Sequence, residues 1–390
     1  MTICDYNEIM EETSPVLDLP EGVPPLRAFY LYMSNSCNLA CRHCWITPRF
    51  VNGKPDPGDV VDFDALKAAV KEAKPLGLSS AKLTGGEPLL HPRYVEIVDM
   101  LTEEGIHLNM ETNGTLMTRE LAKHLKNNSN MGFISVSIDG ANAETHDPFR
   151  GVEGAFDAVL RGLDYMVEAG YNNCQVIMSV HHGNRDQITD VVELAIEHGA
   201  GSVKLNPVTN SGRGAAMHER GEGLDFEERL ELDRWIREEL RPNLREREAN
   251  ISIVSNLPLA LMPISEIIRR KGSTGDCGVR GILGVLGTGE IALCGIGRTI
   301  PELVYGQLGV DSIREIWFHH PAILELRRVL DGPEDFPGVC GTCNMAQRCR
   351  TGCVAQNYVD SGRLTWPQPM CDEADQRGVF PETRRIRSNI

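Results

Sequence analysis

The sequence predicts an α/β fold built from parallel βαβ units, and three observations carry that expectation. Six short apolar runs recur between residues 27 and 210, stretches with apolar positions at helical intervals lie between them, and each run is followed by a polar or glycine-bearing motif. Strands alternating with helices imply crossover connections and a parallel sheet. The pattern suits an open doubly wound sheet and a partial or complete (β/α) barrel equally well, and both place function at the carboxyl ends of the strands.

The elements follow in order. RAFYLYM, from Arg27 to Met33, reads as strand one and ends in polar Ser34 and Asn35. Further strands are expected in SAKLTGG near Leu83, HLNMETNG near Met110, GFISVSIDG near Val136, QVIMSV near Ile177 and SVKLNPV near Leu205. The intervening helices are DFDALKAAVKEAKPL, PRYVEIVDMLTEEG, RELAKHLKNN, AFDAVLRGLDYMVEAG and RDQITDVVELAIEHGA, with Gly or Asn stops. The motifs at the strand ends, Cys37 to Cys44, Thr84 to Pro88, Glu111 to Gly114, Ser137 to Gly140, Ser179 to Asn184 and Asn206 to Pro207, are expected on one rim. After Ser211 the composition becomes charged and helical, a solvated bridge up to a boundary near Asn250, and the basic RGVFPETRRIRSNI reads as a loosely packed tail.

The 390 residues, with 41% hydrophobic and 24% charged, can bury a large core, and no apolar run reaches the roughly 18 residues of a membrane span. Thirty-nine Lys and Arg against 55 Asp and Glu give a net charge of −16, which repels phosphate backbones and argues against nucleic acid as a partner. The acidic N-terminus lacks the basic start and apolar middle of a secretion signal, so a cytoplasmic protein is expected. Twelve cysteines in a reducing compartment read as metal ligands rather than disulfides.

Cys37, Cys41 and Cys44 form C-x3-C-x2-C directly after strand one. Three local thiolates on a four-iron cluster leave one iron open to a chelating ligand, as a catalytic cluster requires. Zinc, with His43 as fourth ligand, is the competing reading. Seven further cysteines, Cys277, Cys294, Cys340, Cys343, Cys349, Cys353 and Cys371, are one short of the eight that fully ligate two four-iron clusters, and two zinc knuckles fit that count as well as iron does. The N-terminal loop tips the balance toward iron.

With C-x3-C-x2-C after strand one and TGGEP after strand two, the chain resembles the radical S-adenosylmethionine (SAM) family. Gly289-x4-Cys294, then C-x2-C-x5-C-x3-C and Cys371, resembles its SPASM subclass. The resemblance implies a partial (β/α)6 barrel over 27–210, a helical bridge over 211–250, an auxiliary-cluster domain over 251–375, an extension over 1–26 and a tail over 376–390. It implies three 4Fe–4S clusters. Cys37, Cys41 and Cys44 would hold the one that binds SAM, Cys277, Cys294 and Cys353 the first auxiliary cluster, and Cys340, Cys343, Cys349 and Cys371 the second. The missing eighth thiolate falls on the first auxiliary cluster, leaving an open iron or an oxygen donor such as Asp276.

For SAM, the resemblance points to Thr84, Gly85, Gly86 and Glu87, with Glu87 supporting the loop or the ammonium. Glycines there let backbone approach a ligand closely. Ser137, Asp139, Arg150 and Ser179 resemble contacts to the ribose or carboxylate, although Arg150 also suits a surface ion pair. Trp45 would cover the cluster or the adenine, or simply pack in the core. Asn206 would lie near adenine or make a plain turn. His181 and His182 are rim proton carriers or ordinary loop histidines, and Cys4 and Cys174 read as inert thiols. The catalytic acid or base is not assigned.

The function implied is oxidative maturation of a ribosomally made peptide or protein, with a thioether or carbon–carbon crosslink foremost. Formylglycine formation, epimerisation and modification of a small molecule such as a haem precursor are the alternatives. A simple electron carrier would not need the SAM motif. Only 26 residues precede strand one, fewer than the roughly 80 of a leader-peptide recognition domain, so a separate recognition partner, or a substrate read without one, is expected, together with a flavodoxin or ferredoxin as reductant.

Overall fold

The computed structural model describes residues 19–48, 50–51, 54–55, 58–269 and 278–386. Strand β1 (Ala28–Tyr32) runs into the cysteine loop, which is followed by a two-residue hairpin, β2 (Phe50–Val51) with β3 (Lys54–Pro55). The remaining five anticipated strands are β4 (Ser80–Thr84), β5 (His107–Thr112), β6 (Met131–Ser137), β7 (Gln175–Val180) and β8 (Ser202–Pro207), all paired in parallel in that order. Three of the intervening helices start at side-chain caps: Asp62 accepts from Ala65 N, Thr118 from Leu121 N and Asn142 from Thr145 N.

The sheet does not stop at the expected boundary near Asn250. Strand β9 (Ser252–Ser255) adds parallel to β8, and β10 (Ile282–Val285) returns across the molecule to pair in parallel with β1. Two antiparallel strands, β11 (Glu290–Ala292) and β12 (Val304–Gln307), complete the order β12-β11-β10-β1-β4-β5-β6-β7-β8-β9. The two end strands are not paired with each other, so this is an open, partial barrel.

Alternation along the strands sorts the two faces. Leu31, Leu83, Met110 and Ile134 lie in register across β1, β4, β5 and β6, and each is essentially fully buried in the main core. Tyr30, Lys82, Glu111, Ser137, Lys204 and Asn206 alternate with core residues and line the other face, the barrel interior.

Helix Phe226–Trp235, a π turn over Ile236–Leu240 and helix Arg241–Glu246 occupy the charged bridge. The bridge is not wholly solvated. Phe226, Ile236, Leu240 and Leu244 are buried, and buried Asp233 accepts from the Ser255 hydroxyl at 2.9 Å and pairs with Arg237 at 2.8 Å. The C-terminal region builds a second core from Leu257, Met262, Phe336, Val339, Met370 and Phe380. The terminal segment is not loose either: buried Arg384 donates to Ala260 O and Met262 O, and Ile386 N donates to Thr342 O at 2.7 Å. Among the described residues no helix is long and apolar enough to cross a membrane.

Candidate active site

The loop after β4 extends the sheet onto the cysteine loop. Met33 N donates to Thr84 O, Gly86 N to Ser34 O at 2.8 Å and Glu87 N to Ser36 O at 2.8 Å. Gly85 has φ +122°, a conformation that side chains disfavour, and a Cβ on Gly86 would stand 1.9 Å from Ser36 O. The close backbone approach anticipated for these glycines is therefore made to the cysteine loop itself. Glu87 is fully buried and accepts from the Thr112 hydroxyl at 2.7 Å, Asn113 N at 2.8 Å and Leu89 N at 3.1 Å. Of its two anticipated roles, these partners supply the loop support. Burial pushes its carboxyl up to about 7, against the pull of those three donors.

Cys37, Cys41 and Cys44 come together against Leu39 and Ala155. Burial, Glu87 and the neighbouring thiols push Cys37 up to about 12, and burial followed by Cys41 raises Cys44. Thiolates crowded this way need a cationic partner. N–H groups already point at sulfur: Leu39 N to Cys37 at 3.4 Å, Asn113 Nδ2 to Cys37 at 3.8 Å and Arg150 Nη1 to Cys41 at 3.6 Å. Three thiols with N–H donors around them fit an iron–sulfur cluster. The zinc reading takes His43 as a fourth ligand. His43 instead stacks on Phe149 at 4.6 Å, with Nε2 at 3.2 Å from the Ser179 hydroxyl, and burial lowers it to about 4.

Arg150 is buried rather than on the surface. Its Nη2 pairs with Asp139 Oδ2 at 2.6 Å, while Asp139 Oδ1 accepts from Ser179 N at 2.6 Å. Burial is the largest influence and works against both charges, but Arg150 together with His43 and the Ser179 N–H holds Asp139 below the usual carboxylate range, and Asp139 together with Cys41 and Cys37 keeps Arg150 charged. Arg150 thus ties the ends of β6 and β7 to the cysteine loop, where Ala40 N donates to Arg150 O and Arg42 N to Phe149 O. Ser137 ends β6, and Ser179 pairs in register with Asn206, which accepts from Asn256 at 3.0 Å.

The histidines divide. His181 is buried and stacks on Phe149 at 4.4 Å, whereas exposed His182 binds Glu228 at 2.7 Å, a carboxylate that sequence reasoning did not supply. Trp45 packs edge-to-face on Tyr32 at 5.9 Å and lines an open cavity of about 520 Å³ with Gly212, Ile296, Ile300, Glu302 and Tyr358. Arg213 closes the far side of the cysteine loop by donating to Cys41 O and Pro48 O. Asn113 falls in the Glu111 to Gly114 motif expected on the rim, whereas Arg213, in the charged stretch after Ser211, carried no sequence signal.

Cys340, Cys343, Cys349 and Cys371 form a second thiol group. Burial, then Cys349 and Cys343, pushes Cys340 up to about 12, and Cys371 rises from burial and then from Cys349, Cys340 and Cys343. Met345 N and Gln368 Nε2 point at Cys343 and Cys349. Cys294 and Cys353 are electrostatic neighbours, with Cys294 raised to about 11, chiefly by burial. Cys277, Asp276 and Cys4 lie outside the described residues. Cys174 is fully buried in the main core.

The barrel interior also holds charges: Glu111, from a motif expected on the rim, and two lysines to which the sequence assigned no role. Lys82 pairs with Glu111 at 2.9 Å and sits 4.5 Å above the Tyr30 ring, while the Thr84 hydroxyl donates to Glu111 at 3.2 Å. Burial, outweighed by Lys82 and Lys204, leaves Glu111 below its ordinary value. The available signal was a charged residue at alternate positions in KLT, MET and VKLN.

The profile of the Radical SAM superfamily matches residues 31–195. The chain is 31% identical over 351 residues to the AdoMet-dependent heme synthase of Methanosarcina barkeri, covering 87% of this chain and 94% of that protein. It is 26% identical over 365 residues to the mycofactocin maturase MftC of Mycolicibacterium smegmatis, covering 87% of this chain and 81% of that one. Its fold is similar to Streptococcus suis SuiB bound to S-adenosylmethionine, with TM-score 0.67 at 18% identity over 89% of this chain and 77% of that one.

Proposed function

Because the chain belongs to the radical SAM superfamily, an enzyme family that uses SAM and a 4Fe–4S cluster, we propose that it oxidatively matures a ribosomally made peptide, with a thioether or carbon–carbon crosslink as product. Bound at Cys37, Cys41 and Cys44, cluster and SAM would supply methionine and a 5′-deoxyadenosyl radical that takes hydrogen from the substrate. The observation that carries a substrate site is the open cavity of about 520 Å³ between the Trp45 loop and the Ile296–Glu302 segment beside Cys294, within the volume range of ligand clefts. The likeness to the mycofactocin maturase supports the peptide reading.

The chain's own groups have separable tasks under this reading. Arg150 and the N–H groups of Leu39 and Asn113 offset negative charge on the thiolates, which favours accepting an electron. Asp139, held ionised by Arg150, orients the Ser179 backbone at the rim. Cys340, Cys343, Cys349 and Cys371 would hold one auxiliary cluster, and Cys294 and Cys353 with Cys277 the other, as the route for the electron the product gives up. A ferredoxin or flavodoxin would supply the priming electron.

A second reading, modification of a small molecule, is favoured by the likeness to the heme synthase over 94% of that protein. Mass spectrometry of a candidate peptide coexpressed with the enzyme and iron–sulfur assembly factors separates the two. Loss of two hydrogens, dependent on Cys37, Cys41 and Cys44, supports maturation. An unchanged peptide under conditions where SAM is cleaved to 5′-deoxyadenosine refutes it, and solvent deuterium entering the peptide redirects it to epimerisation. Intact SAM cleavage after all three cysteines are changed to Ala would refute the cluster assignment.

A further inference from the structure

A second, much smaller cavity lies away from the cysteine loop, where the helices Ile313–His319 and Pro321–Asp331 meet the strands β10 and β12. Its walls include Leu283, Tyr305, Trp317, Leu326 and two arginines, Arg280 and Arg327. The volume is about 10 Å³, room for one particle the size of a water or a halide ion. Arg327 is only 7% exposed, and among the described residues its Nε, Nη1 and Nη2 all lack a hydrogen-bond partner. The guanidinium stacks over the Trp317 ring at 4.5 Å. That contact uses its flat face, whereas its five N–H groups radiate in the plane, so stacking does not satisfy them. Buried donors left unmade on a cation are costly.

The surrounding groups do not supply the missing acceptor. Arg280, in the turn Val279–Gly281, pairs through Nη2 with Asp331 at 2.8 Å, while its buried Nε has no partner among the described residues. Asp331 acts on Arg327 only at longer range, and half of its side chain faces solvent. Tyr305 and His320, with rings 4.9 Å apart, are neutral, because burial raises the phenol and lowers the imidazole. The Cys294 thiol acts on Tyr305 and is not among the groups that act on Arg327. Burial and then Arg280 lower Arg327 to about 10, against the pull of Asp331, which leaves it protonated at neutral pH. Two guanidiniums therefore share one carboxylate, and the unpaired donors border the cavity.

We propose that this cavity binds one monatomic anion, with chloride as the physiological occupant, held by the in-plane N–H groups of Arg327 and the Nε–H of Arg280. The space is too small for phosphate. A bound ion would tie the helix Pro321–Asp331 to the turn that follows Cys277 by two residues in the sequence and leads into β10. The site stands whatever substrate the enzyme takes.

The test uses the reconstituted holoenzyme. Crystals grown with sodium bromide in place of chloride should show an anomalous peak between Arg327 and Arg280 that disappears below the bromine edge, which separates it from iron. In solution, the thermal midpoint at constant ionic strength should rise as sodium gluconate is replaced by sodium chloride or bromide. By linkage the folded-to-unfolded ratio gains about tenfold once the halide reaches about ten times its Kd. Arg327→Met should lose that rise, whereas Arg328→Met, which removes an exposed charge paired with Glu325, should keep it. A cavity without a bromine peak at saturating bromide, or one holding only water in both salts, overturns the proposal. So does a halide-dependent rise that is unchanged in Arg327→Met. Should Arg327→Met not fold, the wild-type crystal decides alone.

Discussion

Gly86→Ala tests whether the two loops of the site are locked by backbone contact. The added Cβ would stand 1.9 Å from Ser36 O and 2.6 Å from Ser36 C, both backbone atoms with no rotamer to yield. Reaching ordinary contact near 3.4 Å means opening the loops by about 1.5 Å. The bonds from Gly86 N to Ser34 O and from Glu87 N to Ser36 O, both 2.8 Å, do not survive that displacement. Two buried neutral bonds lost, with their groups left partly unsatisfied, cost about 2–5 kcal/mol. The damage falls on the segment carrying Cys37, so the N-terminal cluster should suffer more than the C-terminal ones. The assay is iron and sulfide per chain and urea midpoint after anaerobic reconstitution, beside the control Gly105→Ala. Gly105 has φ +73° with nothing within 4 Å, so alanine there costs only backbone strain of about 1 kcal/mol. Wild-type iron content and midpoint in Gly86→Ala would refute the backbone lock, as would equal losses in both variants.

Two further outcomes follow from buried charge. Glu87 titrates near 7 in the fold against an ordinary 4.5, so the folded state holds more protons between those values and stability falls as pH rises through that window, by about 3 kcal/mol in total. Glu87→Gln should flatten that dependence, and urea midpoints from pH 4.5 to 8 check it; an unchanged slope counts against the burial argument. Arg150→Met leaves Asp139 ionised, fully buried and without its cation, and should cost about 3–5 kcal/mol. Adding Asp139→Asn should recover much of that loss, and strict additivity in the double-variant cycle would show that the pair does not act as a unit. Arg150→Met should also lower the reduction potential of the N-terminal cluster, because an N–H donor to Cys41 sulfur is removed.

The division between what sequence and structure each determined follows the range of the interactions concerned. Strand and helix positions depend on local alternation, helical spacing and caps, all of which act within a few residues, so the six strands from Ala28 to Pro207 were legible in advance. The thiol spacing was legible for the same reason: C-x3-C-x2-C and C-x2-C-x5-C-x3-C already constrain which sulfurs can meet. Pairing across long separations was not. Nothing near Ile282 states that it will lie beside Ala28, and the expected boundary near Asn250 dissolved because β9 and β10 satisfy their backbone groups on opposite edges of one sheet.

The same limit governs single residues. Arg150 and Asp139 were singled out from the sequence, but that the guanidinium would be buried between Asp139 and Cys41 depends on a loop 109 residues away. Lys82 and Lys204 each read as an ordinary polar residue on an alternating strand, and Glu111 as the first residue of a rim motif. Only closing the sheet around its interior sets Lys82 against Glu111 at 2.9 Å and brings Lys204 within their electrostatic reach, because which charges share a volume is decided by the fold and a sequence is a line.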